Sequence, residues 1–172
     1  SWQLSDRQGK VDKTAVAARS HLDTVYGEVE MEFDFMDLAA CRPPCDGLLT
    51  VTLVRATNLI PADRNGLSDP FVEFQLGSSA KQKSRTISGT LDPFYGDEFF
   101  FEVSKDGPAQ EYQLELTVLD HDKIGSNDTL GSLNLTLGRE FDGDWLSRPV
   151  RRVFRLSDRG GKVDKWAVAA RE

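Results

Sequence analysis

The chain lacks three things whose absence narrows its function: cysteine, long apolar runs and a surplus of positive charge. Two cysteines, Cys41 and Cys45, in 172 residues are too few for a disulfide framework. They lie in Cys41-Arg42-Pro43-Pro44-Cys45, which reads as a plain loop between two strands. No apolar run approaches the length that spans a bilayer. The opening Ser1-Trp2-Gln3-Leu4-Ser5 carries no apolar signal core, so no secreted form is expected. Lysine and arginine number 21 against 28 aspartates and glutamates, a net charge of −7. A chain of that sign lacks the basic footprint of a nucleic-acid binder. Histidine is scarce too, with only His21 and His121. No Ser/His/Asp arrangement, phosphate-cradling glycine loop or acid–base pair appears, so no catalysis is expected.

What is present begins with a repeat. Leu4-Ser5-Asp6-Arg7-Gln8-Gly9-Lys10-Val11-Asp12-Lys13 returns as Leu156-Ser157-Asp158-Arg159-Gly160-Gly161-Lys162-Val163-Asp164-Lys165. The match continues from Ala15-Val16-Ala17-Ala18-Arg19 to Ala167-Val168-Ala169-Ala170-Arg171. Such a duplication marks a tandem array. Residues 1–26 are read as the tail of a preceding repeat and 27–156 as one complete module. Residues 157–172 are then that module's own tail, matching 5–20. Val11, Ala15, Ala18 and Leu22, and again Val163, Trp166, Ala167 and Ala170, recur at helical spacing. Both flanks are expected to be short helices.

The middle has the period of strands. Val29, Met31, Phe33 and Phe35 alternate with Glu28, Glu30, Glu32 and Asp34, which buries one face and wets the other. Further strands are expected over Leu48–Val54, Phe71–Leu76, Phe99–Val103, Leu114–Leu119, Leu133–Leu137 and Arg152–Leu156, with a weaker one over Lys83–Ser88. Eight short strands between clusters of Gly, Pro, Asn and Asp predict an all-β, eight-stranded antiparallel β-sandwich.

Two of the connections are dense in aspartate. One carries Asp63 and Asp69 between Asn58 and Phe71; the other carries Asp120, Asp122 and Asp128 between Leu119 and Leu130. Turn formation alone accounts for one or two aspartates in a loop. Five on two loops at one end of a sandwich repel one another unless a cation lies between them. Hard oxygen donors on flexible loops are what Ca²⁺ takes, whereas Zn²⁺ wants His or Cys and Mg²⁺ a stricter octahedron. No segment follows EF-hand spacing.

Residues 27–156 resemble a C2 domain, the Ca²⁺- and phospholipid-binding module of protein kinase C and the synaptotagmins. The resemblance rests on Gly47-Leu48-Leu49-Thr50-Val51 leading to Ala56-Thr57-Asn58-Leu59, then Asp63 and Ser68-Asp69-Pro70-Phe71-Val72. It continues in Thr90-Leu91-Asp92-Pro93-Phe94 with Glu98-Phe99, where the family usually has Asn-Pro, and in Asp120-His121-Asp122 with Asp128 and Leu130-Gly131. It implies a C2 fold of synaptotagmin-type topology. By the same resemblance, Asp63, Asp69, Asp120, Asp122 and Asp128 bind Ca²⁺, expected as two ions, joined by the carbonyls of Ala62 and His121, whose imidazole stays free. Gly125 stands where a serine often helps to bind a third ion.

Charge supplies the expected mechanism. Five carboxylates repel an anionic leaflet, and two Ca²⁺ would cancel most of that field. Leu67 and Ile124 are expected to crown the loops and dip among the headgroups, each adding at most about 1.5–3 kcal/mol, with Arg64 and Lys123 meeting phosphates. Lys81, Lys83 and Arg85, at alternate positions, are expected to share one face. They form either a phosphoinositide patch, as in related domains, or a solvated edge that discourages sheet pairing. The expected function is Ca²⁺-dependent docking on anionic phospholipid membranes. The expected setting is a multi-C2 trafficking or tethering protein, cytoplasmic and peripheral to membranes when Ca²⁺ binds. The alternative is a protein-interaction domain contacting SNARE proteins or a neighbouring C2 module, with Ca²⁺ structural or dispensable.

Overall fold

A computed structural model describes residues 26–37, 47–104, 113–122, 125–140 and 148–158. The expected helical flanks, the Cys41–Cys45 loop, His21, Lys123 and Ile124 lie outside the described residues. Eight strands follow in chain order: β1 (Glu28–Asp37), β2 (Gly47–Thr57), β3 (Pro70–Leu76), β4 (Gln82–Lys83), β5 (Phe94–Val103), β6 (Gln113–Asp120), β7 (Thr129–Thr136) and β8 (Val150–Arg155). One helical turn, α1 (Leu137–Glu140), follows β7. They form two four-stranded sheets, β5-β2-β1-β8 and β4-β3-β6-β7, and every pairing is antiparallel.

Alternation creates the core. On β1, Val29, Met31, Phe33 and Phe35 point inward, and Leu49, Val51 and Leu53 do the same on β2. From the other sheet come Val72, Phe74 and Leu76 on β3 and Leu114, Leu116 and Val118 on β6. Phe74 and Phe99 join the layers, with ring centroids 4.3 Å apart. Val54 is the extra residue of a bulge against β1, and on its other side Tyr95 and Gly96 of β5 stand opposite it, so the register of β2 shifts against both neighbours. It lets Leu53 and Ala56 both face inward while Arg55 faces water. Arg55 and Arg151 then meet Glu30 from opposite sides, at 2.6 and 2.8 Å.

Three strand boundaries differ from expectation. The weak strand over Lys83–Ser88 is two residues long, Gln82–Lys83. Beyond it the Ser84 hydroxyl accepts the Val72 N–H at 2.9 Å, and the Ile87 N–H reaches the Pro70 carbonyl at 3.0 Å. The segment follows β3 without a regular ladder because a side chain has taken a ladder bond. β5 begins at Phe94, five residues early, and β7 runs Thr129–Thr136, ahead of the apolar run that suggested it. Leu137 caps that run by starting α1.

The chain leaves the sandwich through a clasp. Ser157 pairs with Ser132 of β7. Two backbone bonds of 2.9 Å link the two serines, and each hydroxyl donates to the other's carbonyl, at 3.0 and 3.3 Å. Leu156 lies so near Gly131 that a Cβ there would come within 2.9 Å of it. The end of β8, a strand of the first sheet, is therefore fastened to the second.

Candidate functional site at the aspartate-bearing loops

β3 and β6 are neighbours, and Pro70 lies opposite Asp120 in their register. That pairing fixes where the two aspartate loops start. Residues 58–69 lead into β3, and 121–128 lead out of β6. The Asp69 N–H donates to Asp120 Oδ1 at 2.5 Å. The His121 N–H reaches the Asp69 carbonyl at 3.0 Å, and the Asp120 N–H the Asp128 carbonyl at 2.8 Å. Residues 69, 120 and 128 are thus laced together through the backbone, whatever their side chains hold.

The first loop is braced from inside. Ser68 is fully buried; its hydroxyl donates to the Ile60 carbonyl at 3.1 Å and accepts the Ala62 N–H at 3.0 Å. Beyond that neck the Ala62 and Asp63 N–H groups converge on the Leu67 carbonyl, at 3.2 and 2.9 Å. The tip turns at Gly66, whose φ of +80° suits glycine. Asn65 Oδ1 takes the Leu67 N–H at 2.9 Å. Asp63, Arg64 and Leu67 are held out at this tip, with Leu67 36% exposed.

Residues 89–93 lace the loop from outside. The Gly89 N–H donates to Asp69 Oδ1 at 2.7 Å and the Thr90 N–H to the Ser68 carbonyl at 2.9 Å. The Asp92 carboxylate accepts the Asn58 N–H at 2.7 Å, just where Asn58 takes the left-handed φ of 60°. Asp92 therefore fills the acceptor role that an asparagine oxygen could also fill. These supports were not legible as such, because they join residues some 20 to 34 positions apart.

Charge collects at Asp120. It is 2% exposed, and burial first of all raises its pKa; the N–H of Asp69 partly offsets this, while repulsion from Asp63, Asp122 and Asp69 adds to it. Asp63, Asp69 and Asp122 therefore all lie near enough to act on Asp120, and Asp128 joins it through its carbonyl. Asp122 is positioned by its own N–H, which donates to Asn127 Oδ1 at 3.0 Å. Among the described residues no three Asp, Glu, His or Cys side chains close to a ready-made metal cluster. The donors gather without converging. All of them are oxygens, and the buried carboxylate among like charges fits a hard cation on charge and donor type. The His121 ring stands edge-on to Phe71, centroids 6.3 Å apart.

The basic residues divide. Lys83 and Lys81 both reach Glu73, at 2.8 and 3.4 Å. Arg85 turns the other way, to Asp97 at 3.3 Å and to the Tyr95 carbonyl. Only Lys83 of the three lies in a strand, so simple alternation does not carry to Arg85. Phe94 and Tyr95 also part company. Tyr95 is buried, its hydroxyl donating to the Pro70 carbonyl at 3.1 Å, while Phe94 is 64% exposed.

An eight-stranded antiparallel sandwich with a set of aspartates on the loops at one end defines the class, a β-sandwich domain of two four-stranded sheets. The family model for the C2 domain matches residues 47–151, and the chain belongs to that family. Human synaptotagmin-5 is 46% identical over 119 residues, covering 64% of this chain and 31% of the relative. Rat synaptotagmin-1 is 45% identical over 119 residues, covering 64% and 28%. The chain thus spans under a third of the length of these curated relatives. The crystal structure of a RIM C2 domain from Drosophila superposes with a TM-score of 0.60 at 20% identity, covering 77% of this chain and 99% of that one. That likeness speaks for the fold. No helix among the described residues is long and apolar enough to cross a membrane.

Proposed function

We propose that this C2 domain is a Ca²⁺-dependent phospholipid-docking module of a multi-C2 trafficking or tethering protein, cytoplasmic and peripheral to membranes. The observation that carries the reading is the buried Asp120 carboxylate set among Asp63, Asp69 and Asp122. A carboxylate whose proton affinity is raised by burial and by like charges around it is held at a cost that a divalent cation relieves.

In this reading Asp63, Asp69, Asp120, Asp122 and Asp128, with the carbonyls of Ala62 and His121, would hold two Ca²⁺. Bound Ca²⁺ supplies positive charge and open coordination positions to lipid phosphates. The protein's own part is positional. The Asp69 and Asp120 carboxylates each spend one oxygen on a backbone N–H, which leaves the second oxygen for a ligand. The hydrogen-bonded tip presents Leu67 and Arg64 outward, so the loop meets a bilayer without rearranging the sandwich. Lys123 and Ile124 would do the same from the second loop. By thermodynamic linkage, anionic membrane must then tighten Ca²⁺ binding by the same factor as Ca²⁺ tightens membrane binding.

Calorimetric titration with Ca²⁺, followed by co-sedimentation with vesicles with and without phosphatidylserine, tests the reading. The expected result is Ca²⁺ heat that Asp122→Asn abolishes or strongly weakens, and sedimentation that needs both Ca²⁺ and phosphatidylserine. A wild-type chain with no Ca²⁺ heat, and equal sedimentation in chelator, would falsify it.

A further inference from the structure

Lys81, just before β4, and Lys83, within it, already share an anion. Glu73 stands directly opposite Lys83 in the β3–β4 register. One of its oxygens lies 2.8 Å from Lys83 Nζ and the other 3.4 Å from Lys81 Nζ. Its side chain is 18% exposed, against about 60% for each lysine. The carboxylate is therefore seated on the sheet while the lysines bend down to it. Lys83 is held there a second way, its ammonium 5.6 Å above the Phe71 ring. Arg85 is matched in the same manner by Asp97 on β5, itself 22% exposed. Three cations thus face two fixed carboxylates, and the patch offers the solvent far less positive charge than its sequence suggests.

We propose that Glu73 is an internal competitor for the polyphosphorylated lipid headgroup that Lys81 and Lys83 would bind, and that it sets the charge a membrane must present before this strand engages. The inference rests on the lipid-docking reading above but concerns a different face of the domain, so each can fail without the other. Ion pairs whose lysines are this exposed are worth little, so the carboxylate is displaceable. A headgroup with several charges and phosphate oxygens for both ammoniums outcompetes it. A singly charged headgroup offers no more than Glu73 already does. Phosphate binding here therefore swaps one acceptor for another, and Glu73 fixes the threshold.

The test uses the full 172-residue chain in chelator, which silences the aspartate loops. Its probe is phosphatidylcholine vesicles containing a phosphatidylinositol bisphosphate. Glu73→Gln removes one negative charge and keeps the shape; partition is expected to rise roughly fivefold, the worth of one charge near an anionic surface. Glu73→Thr, suited to a strand, should do the same if the glutamine variant folds poorly. The gain should vanish when Lys83→Ala is added, and it should shrink steeply at high salt. A purely structural role for Glu73 would give neither dependence. Unchanged or weaker partition of both Glu73 variants, with thermal unfolding intact, overturns the competitor. A gain that survives Lys83→Ala overturns it as well. If Lys83→Ala weakens binding while the Glu73 variants do not strengthen it, the patch stands and the competitor falls. If bisphosphate and phosphatidylserine vesicles matched for surface charge give the same gain, the headgroup assignment falls. Loss of Ca²⁺ heat in the wild type would overturn only the reading of the loops.

Discussion

Single side chains hold the aspartate loops in shape, and Ser68 does so with the least redundancy. Its hydroxyl serves the Ile60 carbonyl and the Ala62 N–H at once, with no solvent beside it. Ser68→Ala takes the Ser68 donor from the Ile60 carbonyl and leaves the Ala62 N–H with its longer bond to the Leu67 carbonyl at 3.2 Å. The expected cost is about 1–3 kcal/mol, read as a lower melting temperature without Ca²⁺. Asp120 gives the opposite sign. Its pKa is raised, chiefly by burial and then by its neighbours. A raised acid contributes stability below its unfolded pKa and loses it as pH climbs through the folded value. Asp120→Asn, whose Oδ1 can still accept the Asp69 N–H, should therefore be more stable than the wild type at neutral pH without Ca²⁺. The difference should close as pH falls below the ordinary carboxylate range, and pH-dependent thermal melts check it. The five aspartates were readable because their spacing within each loop is short. Ser68, Gly89 and Asp92 were not readable in these roles, because their partners arrive only once β2, β3 and β5 are folded together. Glu73 was hidden for the same reason: it meets the lysines across a strand pair.

At the scale of the strand, period-two alternation made β1 legible residue by residue, since one face is apolar and the other acidic. β4 is shorter than the alternation of Lys81, Lys83 and Arg85 suggests because Ser84 diverts the ladder. β5 extends beyond its apolar run because Phe94 and Gly96 face water and weaken the apolar pattern at its start. Gly47 shows how tightly one element can depend on another. It opens β2 opposite Asp37, and a Cβ there would lie 2.2 Å from the Phe35 ring and 2.8 Å from the Met36 carbonyl. One of these is backbone and cannot swing aside. Gly47→Ala should cost about 1–3 kcal/mol through overpacking, seen as an earlier midpoint in urea with an unchanged slope.

For the molecule as a whole, the net charge of −7 is unevenly placed, with five aspartates at one end of the sandwich. If Ca²⁺ binds there and not to the unfolded chain, it must stabilise the fold by mass action. At a free concentration one hundred times the dissociation constant the gain is about 2.7 kcal/mol. For a chain of this size that raises the melting temperature by about 5–10 °C, and Asp122→Asn should remove most of the shift. Mg²⁺ at the same concentration should do much less. Differential scanning calorimetry distinguishes these outcomes. The fold was more legible than the site because the sandwich follows from a pattern repeated eight times, whereas the site depends on which loops the topology sets side by side.

The clasp between Ser132 and Ser157 bears on how the domain carries mechanical load. Tension entering through the residues that follow Asp158 reaches the paired serines before it reaches β8. Pulled there, the load first meets four hydrogen bonds around one residue pair, backed by Leu156 against Gly131. Only after they part is β8 drawn along β1, where six residue pairs share the force in shear. The serines thus act as a fuse: a tug on the adjoining chain is spent at the far sheet, and the strand beside Glu28 and Glu30 stays in register until the fuse opens.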